Sequence, residues 1–206
     1  DLPEKHSDRY ALGQEWFDVV RKLWSHPQRF DWNGDFYHLK GVHGEPAPYN
    51  GMLPVMNAAG SVEGREFASS NADFLFMVSL DPAASKDEVN TIKSQAARRG
   101  RDVGVFTLVH VVCRPTQKEA EEYYHYYAEA LQGMHAQSFP EEALRTMRSR
   151  FAAGHGSFPI VGDPDHVAKE LERVPAGGFA GCTLSFVDYA KEFPYFRDEV
   201  LPRLEA

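Results

Sequence analysis

Cysteine is scarce: two occur in 206 residues, Cys113 and Cys182, each inside an apolar, strand-like run. That spacing offers neither a disulfide framework nor a zinc site, so both read as buried free thiols of a reducing compartment. No apolar stretch approaches the roughly 20 residues that a bilayer-spanning helix needs. Positive charge is in the minority, with 22 Lys and Arg against 30 Asp and Glu and a formal net charge of -8. This argues against nucleic acid or an anionic membrane as partner. It leaves room for a phosphate ligand, because a local pocket can be positive in an acidic protein. There is no G-x-S-x-G elbow and no Walker loop. No His, Cys and carboxylate grouping has metal-ligand spacing, so no metal is expected. Signal-like segments, internal repeats and low-complexity linkers are also lacking. One domain over residues 1–206 and a cytoplasmic location are the corresponding expectations.

What is present is ordinary globular material: 43% hydrophobic and 13% aromatic residues, enough for a real core. Residues 8–24 read as a helix, with Leu12, Trp16, Val19 or Val20, and Leu23 on one face. Residues 25–51 are dense in turn signals and read as an excursion, with a short strand pair around Phe30, Phe36 and Leu39. Short apolar runs then alternate with helices. The runs are 53–58, 72–78, 103–113 and 181–187. The helices are 62–70, one with Val89, Ile92 and Ala96 on a face, 117–137, 164–174 and 191–204. Thr116 and Glu119 form a capping-box signature, and Asp163-Pro164 reads as a helix start. Alternating strands and helices predict βαβ units and a parallel sheet. Four strands are half the complement of an eight-stranded barrel.

Three places can carry chemistry. At Ala58-Ala59-Gly60-Ser61 a strand ends and a helix begins. The amides and dipole of a helix start favour an anion. Gly60 lets a phosphate approach the main chain, and Ser61 adds a hydroxyl; the same residues also read simply as an N-cap. Arg9 and Tyr10, at the start of the first helix, are a charged and a neutral donor, or else a solvated helix end. His155, between Gly154 and Gly156, is a candidate catalytic group on a Gly-hinged lid over 139–159, together with Arg145, Arg148 and Arg150. The plain alternative is a surface histidine beside a solvated helix. The Tyr123-Tyr124-His125-Tyr126-Tyr127 run covers more than one helix face and reads as packing or a subunit contact. His110, inside a strand, reads as a satisfied core histidine.

Taken in order, these motifs resemble those of the bacterial luciferase-like flavin-dependent monooxygenases. His6-x-x-Arg9-Tyr10, Glu15-Trp16 and Leu23-Trp24 resemble one helix of that family. Phe30-x-x-x-Gly34-x-Phe36-Tyr37 resembles its excursion, and Gly60-Ser61-x-x-Gly64-x-x-Phe67-Ala68 its turn. Val161-Gly162-Asp163-Pro164-x-x-Val167-Ala168 and the closing Phe193 to Pro202 complete the set. Within the family the likeness leans to the FMN-dependent dimethylsulfone and pyrimidine monooxygenases. The resemblance implies the C-terminal portion of a (β/α)8 TIM barrel, with about four parallel strands and an active-site insertion. It implies reduced FMN from a separate flavin reductase, O2, and a small organosulfur or heterocyclic substrate in a homo-oligomer. Ser61, Gly60, Tyr10 and Arg9 would hold the FMN phosphate. A deazaflavin-dependent oxidoreductase on the same barrel, or a non-catalytic flavin-binding half-barrel, are the alternatives. Family members carry four more strands before the His6-x-x-Arg9-Tyr10 helix. About 110 to 160 residues of strand–helix alternation are therefore expected upstream, or a second chain that completes the barrel.

Overall fold

The computed structural model describes residues 6–26, 28–58, 60–135 and 157–204. The chain folds as two compact units, Asp1–Leu75 and Phe76–Ala206.

The first unit begins with α1 (His6–Ser25). Simple spacing picks its inward face correctly at Val19 and wrongly at Trp16. Phe17 and Val19 are buried while Trp16 is 53% exposed. Phe17 wins the core position because its ring meets both Trp24 and Phe67 edge-on, with centroids 6.2 Å apart in each pair. The excursion is a hairpin of β1 (Phe30–Asn33) and β2 (His38–Val42), paired antiparallel with Trp32 opposite Leu39. β3 (Met56–Ala58) leads into α2 (Val62–Asn71). β4 (Phe74–Phe76) lies beside β3, and Val55 O accepts from the amides of Asp73 and Phe74.

The second unit is built on β5 (Gly104–Cys113). Val89, Ile92 and Ala96 of α3 (Lys86–Ala97) are all buried, as their helical spacing predicts. Burying each of the two large side chains contributes about 1.5–3 kcal/mol. The Thr116 capping box forms at the head of α4 (Gln117–His135): Thr116 N donates to Glu119, and Glu119 N to Thr116. β6 (Phe158–Gly162) and β7 (Gly181–Ser185) both run parallel to β5. β6 is a strand that the sequence does not announce. Pro159 within it cannot donate to a ladder, which demotes the run in any sequence reading; a strand paired on one side tolerates it. The expected lid over 139–159 therefore ends in sheet, and the rest of it lies outside the described residues.

Asp163 caps α5 (Pro164–Glu172), accepting from His166 N at 2.9 Å. The expected last helix divides into α6 (Tyr189–Glu199) and α7 (Leu201–Leu204), the break falling just ahead of Pro202. Among the described residues no helix is long and apolar enough to cross a membrane.

Candidate functional site

The turn from β3 into α2 gathers several of the residues singled out above. Ser61 has an extended backbone and caps α2, its Oγ accepting from Gly64 N at 3.1 Å. The Tyr10 hydroxyl lies 3.4 Å from the same Oγ, although 51 residues separate them in sequence. Tyr10 is steadied by Phe67, with ring centroids 6.0 Å apart. A Cβ on Gly60 would meet nothing within 4 Å, so open space faces the main chain there. The first-turn amides of a helix have no intrahelical acceptor and carry the positive end of its dipole. Two hydroxyls, an open glycine and the Val62 amide together can accept a dianionic group. Arg9 is exposed and lies one residue before Tyr10 on α1.

The link between α1 and α2 was not readable from sequence. Gln14 and Asn71 exchange side-chain hydrogen bonds of 3.1 and 2.6 Å, and Asn71 also donates to Phe67 O. Arg21 donates to Asn71 O at 3.0 Å. Half-buried amide pairs of this kind fix one helix on the other, which is what holds Tyr10 over Ser61. The cleft beside them, about 280 Å³, is lined by Tyr10, Gln14, Phe67, Ser70 and the acidic Glu63 and Glu66. Two carboxylates disfavour an anion in the cleft itself. An anion is favoured at the helix start.

A second polar group stands at the ends of β5 and β7. Glu192, 9% exposed, accepts from Arg114 at 2.6 Å and from the amides of Val187 and Asp188. The Arg114 guanidinium lies 3.9 Å from the Tyr123 ring centroid. Burial pushes the Tyr123 phenol up, with Glu192 adding to it. Burial also drives the Cys113 thiol up to about 11, the neighbouring Arg114 opposing it. These groups border a recess of about 400 Å³ with Pro115, Asp188, Lys191 and Tyr195. His110 is 1% exposed, and its Nδ1 lies 2.8 Å from Ser185 Oγ. No motif flags Glu192 or Ser185; the nearest local signal is Asp188, the N-cap of α6.

His155, Arg145, Arg148 and Arg150 lie outside the described residues. Among the described residues no group of three or more His, Cys, Asp or Glu can hold a metal ion. Cys113 is buried and Cys182 half-buried, both free.

Comparison with known proteins sets this geometry in context. A family model described as luciferase-like monooxygenase matches residues 2–181. The dimethyl-sulfide monooxygenase of Hyphomicrobium sulfonivorans is 26% identical over 97% of this chain and 55% of its own length. The FMNH2-dependent dimethylsulfone monooxygenase of Pseudomonas fluorescens is 22% identical over 96% of this chain and 58% of its own. The crystal structure of DmoA from Hyphomicrobium sulfonivorans superposes with a TM-score of 0.81 at 23% identity, covering all of this chain and 57% of that one. The fold is thus a portion of a (β/α)8 barrel. The chain spans little more than half the length of these curated relatives.

Proposed function

Since the chain belongs to the luciferase-like monooxygenase family, we propose that it is the phosphate-holding portion of an FMN-dependent monooxygenase. Its substrate is a small organosulfur or heterocyclic compound, and the reduced flavin comes from a separate reductase. The observation that carries this reading is the convergence of Tyr10 and Ser61 at the start of α2. The dimethylsulfone relative, named as FMNH2-dependent, supports the choice of flavin.

Reduced FMN, when bound, supplies the activation of O2; the protein positions it and keeps water away. At the phosphate the two hydroxyls and the first-turn amides donate, and Arg9 adds a positive charge from the adjoining helix end. Ser61 Oγ already accepts from Gly64 N. Toward a phosphate oxygen the Ser61 hydroxyl acts by donating its hydrogen, in competition with the Tyr10 hydroxyl 3.4 Å away.

The test is a flavin titration on the full-length protein. Ser61→Asp keeps an N-cap side chain, so the helix survives, but it sets a carboxylate against the phosphate. FMN affinity is expected to fall roughly ten- to hundredfold, the scale of a lost charge-assisted hydrogen bond. Riboflavin, which has no phosphate, is expected to bind wild type and variant alike. Equal FMN affinity in the two proteins would show that Ser61 is a cap and nothing more.

A further inference from the structure

His110 and Ser185 are register partners on the parallel strands β5 and β7, so their side chains leave the sheet on one face. On that face Phe106, Leu108 and Ser185 are half-exposed and Thr183 is exposed. On the other face Val105, Thr107 and Val109 are fully buried. A Cβ on Gly181 would come 2.7 Å from the Phe106 ring, so a larger residue there would displace that ring on the open face. Ser185 is the last residue of β7. In parallel α/β folds, ligands bind at the C-terminal ends of the strands.

The pair has a definite polarity. The imidazole is almost wholly buried and the hydroxyl half-exposed. Burial holds His110 below its ordinary value, and Glu192 pulls it back upward. The other charges near that carboxylate are Arg114, which pairs with it, and Asp188 and Lys191, which pair with each other. Burial thus favours the uncharged ring, in which one of the two nitrogens carries a hydrogen. With that hydrogen on Nδ1, His110 donates to Ser185 Oγ and the serine hydrogen is turned outward, off the sheet.

We propose that Ser185, held in this way by His110, donates a hydrogen bond to an oxygen of the substrate lying on the open face of β5 and β7. The proposal rests on the monooxygenase reading and sharpens it. The substrate class is then one that carries an acceptor oxygen, a sulfone or a ring carbonyl, rather than a bare thioether, whose sulfur is a weak acceptor. A site built to hydrogen-bond its ligand discriminates against an analogue that cannot reciprocate.

The test uses the full-length protein, with FMN bound and histidines labelled with 15N. FMN binding is measured first by fluorescence. Dimethyl sulfone, uracil and dimethyl sulfide are then titrated separately. The His110 ring nitrogens are followed by proton–nitrogen correlation, assigned with His110→Gln. The expected results are an Nδ1–H tautomer, ring shifts with the sulfone or uracil, and none with the sulfide. Ser185→Ala is expected to abolish the shift and weaken the oxygen-bearing ligand about tenfold with FMN affinity unchanged. Ser185→Thr is expected to restore most of both. An Nε2–H tautomer with ligand bound, an equal response to the sulfide, unchanged affinity in Ser185→Ala, or no binding of any of the three would each overturn the proposal. A protein that binds no FMN overturns the functional reading and the proposal with it, and that result comes before any substrate is added.

Discussion

Thr107 stands on the covered face of β5, fully buried, and its hydroxyl has no hydrogen-bond partner among the described residues. A buried hydroxyl without a partner costs about 1–3 kcal/mol, and valine has nearly the same shape. Thr107→Val is therefore expected to stabilise the protein by about 1 kcal/mol. Urea unfolding monitored by circular dichroism measures it, and a lower midpoint for the variant would contradict the expectation. Cys113 is the complementary case of a group made inert by its surroundings. With its pKa near 11, the thiolate is a minute fraction at pH 8. Burial raises Cys182 as well. Both thiols are expected to react slowly with a disulfide reagent in the folded protein and quickly in guanidinium. A rapid native phase at pH 8 would show that the β5 end opens.

The hairpin β1–β2 is held by one carboxylate of α1. Glu15 accepts from Trp32 Nε1 at 2.9 Å and from the amides of Phe36 and Tyr37 at 2.8 and 2.9 Å. A Cβ on Gly34 would fall 2.0 Å from Glu15 Oε1, so a larger residue there would push the carboxylate off the hairpin. Desolvation raises the Glu15 carboxyl, but the hydrogen bonds from Trp32, Tyr37 and Phe36 together hold it below its ordinary value. A folded-state value below the unfolded one stabilises the protein above the unfolded pKa, and this contribution fades as pH falls through the folded one. Glu15→Gln turns an amide toward three donors. Hydrogen exchange at Phe36 and Tyr37 is expected to quicken, and the melting temperature to depend less steeply on acid pH than in wild type. If the two proteins lose stability in parallel below pH 5, Glu15 is not the anchor. The start of α6 has its own anchor in Glu192, whose removal strands Arg114, 22% exposed, against Tyr123. Glu192→Ala is expected to cost about 3 kcal/mol, the scale for breaking a buried pair from one side. Urea midpoints measure this, and a loss under 1 kcal/mol would mean that water reaches the guanidinium.

Across the whole molecule, large apolar side chains stay in contact with solvent. Leu53 and Met56 are each 50% exposed in the first unit, and Val78 and Leu80 are 46% and 60% exposed in the second. A complete (β/α)8 barrel fills its interior with such side chains. We therefore expect the 206-residue chain alone to bind a hydrophobic dye such as ANS and to form aggregates of no fixed size, and the full-length protein to leave the dye dark and keep one defined size. Light scattering and dye fluorescence on the two forms decide it. A dye-silent short form of one defined size would show that these side chains need no further cover.

The sequence alone settled what depends on near neighbours along the chain. The Val89, Ile92 and Ala96 face, the long β5 run, the Thr116 capping box and the Asp163 and Ser61 caps are patterns spanning a turn or two of helix or a few strand residues, so they are written locally. The ordered motifs added the barrel family, and turned Tyr10 and Arg9 from two donors at a helix start into an expected phosphate site. Tertiary structure alone decided which side chains meet. Tyr10 reaches Ser61 across 51 residues and His110 reaches Ser185 across 75. Glu15 closes on Trp32, Phe36 and Tyr37, and Phe17 displaces Trp16 from the core. β6 becomes a strand despite Pro159 because β5 offers it a parallel edge. Each of these outcomes is set by strand register and by helix packing against non-neighbouring elements, and neither leaves a periodic mark in the order of the residues.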